Sequence, residues 1–323
     1  MMYQPNSPSP DPQWPPARPS QNEGDEYAPQ RPYTPPPTYL PAPVPPPGYM
    51  SASRAARTWI RIPIERPLWT GVLLAIMVLL FAVTTLLNGN LSLLPTNQTD
   101  FLSEWGAKVN QEVVFEGQWW RLFTVMFLHN GLLHIVTNGY ALYVIGNEVE
   151  GLFGRARFIA IFFISGLAGS VASVAFSPFN VAGVGASGAI FGLIGALGVY
   201  FGLHRSLFGS RGNIQFWNII FIVVINLGFG FSGILPIDNS AHLGGLLGGL
   251  LLGYILCPRY TLGEWEMPNV RGLVDTNKGK LPWIAAGVFT LVIMAIFLVL
   301  VVLFTQEYIQ PHYIYPDFLG PRR

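Results

Sequence analysis

Charge is what this sequence has least of. Only 11% of its 323 residues are Asp, Glu, Lys or Arg, whereas 51% are hydrophobic; soluble domains carry roughly 25% charged residues. So few charges could not cover the surface of a soluble chain this long, which excludes a soluble enzyme. A net charge of +1 excludes nucleic-acid binding driven by bulk charge. Cysteine is nearly missing too. Cys257 stands alone and cannot form an internal disulfide, which excludes a secreted disulfide scaffold and leaves the redox compartment unread. Paired carboxylates, a thiolate cluster and a phosphate-cradling loop are all lacking. His129 and His134 have no acidic or Cys neighbour to complete a metal site, so neither metal nor cofactor is expected.

Proline, by contrast, is concentrated. Seventeen of the 28 prolines fall in residues 1–50, among Ser, Gln and Tyr with no apolar periodicity. Residues 1–58 therefore read as a disordered cytoplasmic arm that cannot bury enough surface to offset its ordering entropy. Pro35-Pro36-Pro37 and Pro45-Pro46-Pro47 favour polyproline II, which suits a semi-rigid tether or a docking segment for Pro-reading modules. No cleavable signal peptide is expected, because apolar sequence begins only near Leu68.

From there, seven apolar runs approach the length needed to cross a bilayer as helices: about 68–87, 131–147, 157–176, 183–203, 214–234, 240–257 and 282–304. The fold class is an all-α membrane protein: a six-helix core over 59–260, a cytoplasmic loop over 261–280, and a seventh helix with an external tail over 281–323. The loop of about 88–128 carries Trp105, Trp119 and Trp120, residues suited to the membrane–water boundary. Lys and Arg set the orientation. Fourteen lie in the arm, before the first run, or between runs two and three, four and five, or six and seven; the other side holds Lys108, Arg121, Arg322 and Arg323. That bias places the N-terminus in the cytoplasm and the C-terminus outside, in a bacterial-type plasma membrane.

No Asp, Glu, Lys or Arg lies well inside any of these runs. A proton- or ion-coupled carrier usually keeps a midplane carboxylate or base and a voltage sensor needs arginines, so both readings are weakened. The polar residues that remain are His134 and Asn138 in the second run, Ser187 in the fourth and His242 in the sixth. All three runs start on the outer side in this topology. His134, Ser187 and His242 each lie within about one turn of the start, so at about 1.5 Å per residue they share one depth. Asn138 follows His134 by one turn on the same face.

Ser187 sits in Gly185-Ala186-Ser187-Gly188-Ala189-Ile190-Phe191-Gly192. Taken alone, Gly185, Gly188, Gly192 and Gly195 read as a stripe that lets membrane helices approach. A serine at a helix N-terminus also has free backbone N–H groups beside it, able to stabilise an oxyanion. The elbow of soluble hydrolases is not matched, since Ala189 stands where a glycine is needed. His242 lies in Asp238-Asn239-Ser240-Ala241-His242-Leu243-Gly244-Gly245, followed by Gly249 and Gly253. Glycine stripes on both helices would let Ser187 meet His242. An unpartnered imidazole there merely for packing would be costly.

These motifs resemble the rhomboid intramembrane serine proteases: Gly185-Ala186-Ser187-Gly188 on the fourth run, and Ala241-His242-Leu243-Gly244-Gly245 with Gly249 on the sixth. Trp120-Arg121, His129, His134, Asn138, Gly146 and Glu150 fit the same pattern. The resemblance covers about residues 68–257 and implies a six-helix rhomboid-like core. It implies Ser187 as nucleophile, His242 as general base, and His134, Asn138 and the Ser187 N–H as oxyanion donors. Phe191 would pack on the histidine, with Gly185, Gly188 and Gly245 in support, while Arg121 and Glu150 would be structural. The implied substrates are transmembrane proteins cut near their outer ends, where weak helix formers allow unwinding. Membrane lipid is the only other partner implied, and oligomeric state is unread.

Family members use a dyad without an acid, so Asp238 reads as a helix cap with a third-member role left open. A catalytically inactive, helix-escorting relative is the alternative function. Run five, with Gly228, Gly230 and Gly233, is the candidate gate, and His204 and His312 read as solvated.

Overall fold

The computed structural model describes residues 63–89, 91–94, 99–179, 181–232, 237–264 and 271–314. The Pro-rich arm and Gly233 lie outside them, and His312 lies where the helix is described but not its side chains.

Helix α1 (Trp69–Asn88) ends at Gly89, whose left-handed φ of 67° lets its N–H return to Leu86 O. Its start is capped from far along the chain. Glu150 Oε1 accepts from the backbone N–H of Leu68 and Trp69, and Oε2 from the N–H and hydroxyl of Thr70, all at 2.8–2.9 Å. Four donors thus satisfy a fully buried carboxylate and close the orphan N–H groups of the first turn. The loop expected at 88–128 is partly helical, with α2 (Thr99–Glu104), α3 (Asn110–Phe115) and α4 (Arg121–Thr124). Arg121 pairs with Glu112 and donates to Ser103 O and Ala107 O at 2.5 and 2.7 Å, tying these pieces together.

The second apolar run forms α5 (Leu132–Ala141), a π-helical turn (Leu142–Gly146) and α6 (Asn147–Phe153) in unbroken succession. Gly154, at φ 86°, ends it and opens α7 (Arg155–Phe176). Then come α8 (Ser187–Leu203), α9 (Arg205–Phe231) and α10 (Asn239–Leu256). Among the described helices, α1, α7, α9, α10 and α11 (Lys280–Ile314) are long and apolar enough to cross a membrane, while α8 has 17 residues. At about 25 Å, α8 lies inside the bundle, with most of its side chains buried.

Glycine sets how closely α7, α8 and α10 pack. A Cβ on Gly245 would fall 2.0 Å from Gly188 O, one on Gly249 2.0 Å from Gly192 O, and one on Gly253 2.5 Å from Ala196 Cα. On the other side of α10, a Cβ on Gly244 would meet Ala168 O of α7 at 2.8 Å. The four-residue repeat thus brings backbones into direct contact, where dispersion replaces the hydrophobic drive that lipid cannot supply.

One element departs from the all-α expectation. The 261–280 segment carries an antiparallel hairpin, β1 (Tyr260–Glu264) and β2 (Arg271–Asp275). Asp275 anchors it, pairing with Arg157 at 2.7 Å and accepting from the Arg259 and Asn277 N–H groups. Asn277 Nδ2 donates to Ile255 O and Cys257 O at 2.9 Å, satisfying carbonyls at the end of α10. Helix α11 then packs along α7 and the first loop, with Trp119 edge-on to Phe297 at 5.7 Å and Phe179 to Phe304 at 5.1 Å.

Candidate active site

The chain enters α8 along an extended segment. Gly183 exchanges both backbone hydrogen bonds with Lys108 at 2.8–2.9 Å, and Gly185 N–H donates to Val125 O at 2.9 Å. Gly185 has φ 120°, a conformation that L side chains rarely adopt. Space demands glycine there as well, because a Cβ would lie 2.7 Å from His134 Nε2 and 3.2 Å from Asn138 Nδ2. Both side chains therefore press against the backbone two residues before Ser187. Ser187 is the first residue of α8, and Ala186, at the N-cap position, has no polar side chain to engage the first-turn N–H groups. Asn138 is buried, and its Nδ2 has no hydrogen-bond partner among the described residues.

Helix α10 brings His242 to the same place. Its ring lies flat on Phe191, one turn after Ser187, with centroids 4.2 Å apart and planes 13° from parallel. Ala241 O would stand 3.3 Å from a Cβ on Gly188, so the residue after the serine meets the residue before the histidine. His242 is 7% exposed, and its Nδ1 has no partner among the described residues. The carboxylate of Asp238 is engaged elsewhere. Oδ1 accepts from Ala241 N–H at 3.0 Å, capping α10, and from Ser177 Oγ at 3.1 Å, while Oδ2 accepts from Ser173 Oγ. Asn239, next in the chain, donates to Leu227 O of α9 at 3.4 Å.

The other histidines separate from this cluster. His129 packs edge-on against His134 at 5.1 Å and directs Nδ1 to Phe127 O at 3.2 Å; burial pushes its pKa down to about 3, so the ring is neutral. His204 corrects the expectation of a solvated residue. It is buried between Tyr200 and Tyr260, with Nδ1 2.9 Å from Tyr200 O. Among the described residues no three His, Cys, Asp or Glu side chains gather as metal ligands would.

Sequence reasoning missed Lys108. Counted there only among the charges of the outer side, it is 2% exposed, and its ammonium donates to Ser173 Oγ. Burial lowers its pKa to about 8, against the pull of Asp238. The one signal available was the pair Ser173 and Ser177, four residues apart at the C-terminal end of α7.

Residues 116–259 match the family model described as the Rhomboid domain. The rhomboid protease GluP of Bacillus subtilis is 43% identical over 185 residues, which are 57% of this chain and 34% of that protein. RHOMBOID-like proteins 2 and 7 of Arabidopsis thaliana are 40% and 37% identical, over 53% and 54% of this chain and 52% and 54% of their own lengths. The chain thus spans between about a third and about half the length of these curated relatives. Residues 116–259 thus carry a Rhomboid domain, in a chain whose described residues include five helices long and apolar enough to cross a membrane.

Proposed function

We propose that this protein is an intramembrane serine endopeptidase that cuts transmembrane-helix substrates near their outer ends with a Ser187–His242 dyad. The observation that carries this reading is the convergence at the start of α8. His134 and Asn138 abut Gly185, and His242 stacks on Phe191, so these groups gather around the first turn of α8, where Ser187 begins the helix. In the reaction, Ser187 Oγ attacks the scissile carbonyl carbon and His242 takes the hydroxyl proton. The developing oxyanion is held by the Ser187 N–H, Asn138 Nδ2 and His134. Collapse breaks the C–N bond, and His242 returns its proton to the leaving amine. Water, deprotonated by His242, then hydrolyses the Ser187 ester.

The six-plus-one helix arrangement, with a cytoplasmic N-terminus and an external C-terminus, belongs to this proposal. With the buried Lys108, Arg121 and Arg157 left out, the Lys and Arg bias is thirteen against two, still in the same direction. Helix α9 is the proposed gate. Only 6% of its apolar window is buried, and it is joined to α10 through Asn239.

The test is cleavage of a reporter transmembrane substrate by purified protein. Wild type is expected to cleave, Ser187→Ala to fall to background, and His242→Ala to lose about 10²–10⁴-fold. Cleavage that survives Ser187→Ala would remove the serine from its role. No cleavage of any of several substrates by wild type would favour the inactive, helix-escorting alternative.

A further inference from the structure

Lys108 touches both arms of the site. Its backbone exchanges two hydrogen bonds with Gly183, on the segment that leads through Gly185 to Ser187. Its side chain reaches the other arm. Nζ donates to Ser173 Oγ, Ser173 donates to Asp238 Oδ2, and Ser177 donates to Asp238 Oδ1. Asp238 in turn caps α10 and accepts the His242 N–H on its own carbonyl at 3.1 Å. A buried ammonium ordinarily costs stability unless a counter-charge and hydrogen bonds compensate it. Here the compensation bridges a loop, α7 and α10 at the place where nucleophile and base must meet.

We infer that Lys108, through Ser173 and Asp238, is a positioning residue that fixes the His242-bearing start of α10 relative to the segment carrying Ser187. This rests on the protease reading above. A helix cap needs no cation, and Ser or Asn would cap α10 as well as Asp does. The cation is what a purely capping role leaves unexplained.

The surroundings make Lys108 the group whose titration this network feels. From the N-cap of α10 it faces Asp238; from α7 and its C-cap, the uncharged Ser173 and Ser177; from the entry segment, the Gly183 backbone. On the loop side, Asn110 spends its Nδ2 on Val174 O and Ser177 O, and Glu112 is paired with Arg121. Lys108 has a pKa of about 8 against an ordinary 10.5, so the bridge loses its cation as pH rises through about 8. Stability moves the other way. Between about 8 and 10.5 the unfolded chain binds this proton more tightly, so its release favours the folded state. Loss of rate on this limb is therefore not unfolding.

The experiment measures kcat and KM for a reporter transmembrane substrate between pH 6 and 10, and fluorophosphonate labelling of Ser187, in full-length protein. Wild type is compared with Lys108→Met, Lys108→Arg, Asp238→Asn and Ser187→Ala, each checked by thermal unfolding in detergent. Wild-type kcat should fall on the alkaline side with a midpoint near 8, with KM unchanged. Asp238→Asn keeps a capping oxygen but loses the anion, and should lose about tenfold in kcat while staying folded. Lys108→Met should lose as much or more. Lys108→Arg, whose cation does not titrate here, should retain activity and carry it beyond the wild-type limb.

If wild type cleaves and labels but Asp238→Asn and Lys108→Met match it within twofold, the inference is overturned and the protease reading stands. Losses that track lost thermal stability, with no alkaline limb in wild type, also overturn it. Neither cleavage nor labelling by wild type at any pH overturns the protease reading and this inference together.

Discussion

Helices α7 and α9 are both long apolar helices of one bundle, yet they are held in opposite ways. In α7, 61% of the apolar window is buried; in α9 only 6% is. The first belongs to a three-helix block with α8 and α10 in which glycines remove the side chains that would separate the backbones. The second buries little beyond Gly212 and Ile219 and turns Trp217, Phe221 and Val224 outward. On the proposed protease reading, the difference divides the labour. A dyad on two helices needs its partners fixed to within fractions of an ångström, and only backbone contact provides that. Admission of a substrate helix needs an element whose displacement disturbs little packing.

The sharpest way to break this comparison is to put a side chain where the block has none. Gly249→Leu would drive atoms into Gly192 O and should destabilise the protein by about 3 kcal/mol, seen as lost thermal stability in detergent. Next in size is the effect of tying α9 down. Gly230 lies against the Asn239 side chain, so a Gly230→Cys, Asn239→Cys pair oxidised to a disulfide should cut cleavage of a transmembrane substrate about tenfold. Fluorophosphonate labelling should be untouched, and reductant should restore the rate. Unchanged cleavage in the cross-linked protein would remove α9 as the gate.

A smaller effect is expected at the stacked pair. Phe191→Ala deprives His242 of its ring partner, worth about 1 kcal/mol, so kcat should fall about fivefold in the protein that remains folded, while the cavity left by this buried ring lowers thermal stability. Smallest is Gly228→Leu on α9, where a Cβ meets nothing within 4 Å; stability should change by less than about 0.5 kcal/mol. If Gly228→Leu proved as damaging as Gly249→Leu, the distinction between fixed block and loose helix would collapse.

The fixed block was largely legible in the sequence, because its signals are local and periodic. Gly245, Gly249 and Gly253 at four-residue spacing announce a close-packed face, and that face meets Gly188, Gly192 and Ala196. The shared depth expected of His134, Ser187 and His242, with Asn138 one turn deeper, rests on topology and helix rise alone. What stayed hidden depends on partners distant in the chain. Lys108 looked like a loop charge because Ser173 and Asp238 arrive from two other helices. The hairpin of 260–275 was read as loop because its anchor, Arg157, lies 118 residues before Asp275. His204 was read as solvated because Tyr260, which covers it, belongs to that hairpin. The π-helical turn at Leu142–Gly146 has no periodic signature in so short a stretch.

The most direct measurement is mass-spectrometric location of the covalent adduct after the intact membrane protein reacts with a fluorophosphonate. The expected result is one adduct on Ser187, lost in His242→Ala, because the hydroxyl is nucleophilic only beside its base. An adduct on another serine, equal labelling of Ser187 without His242, or no adduct on folded wild type would contradict the assignment of a Ser187–His242 dyad.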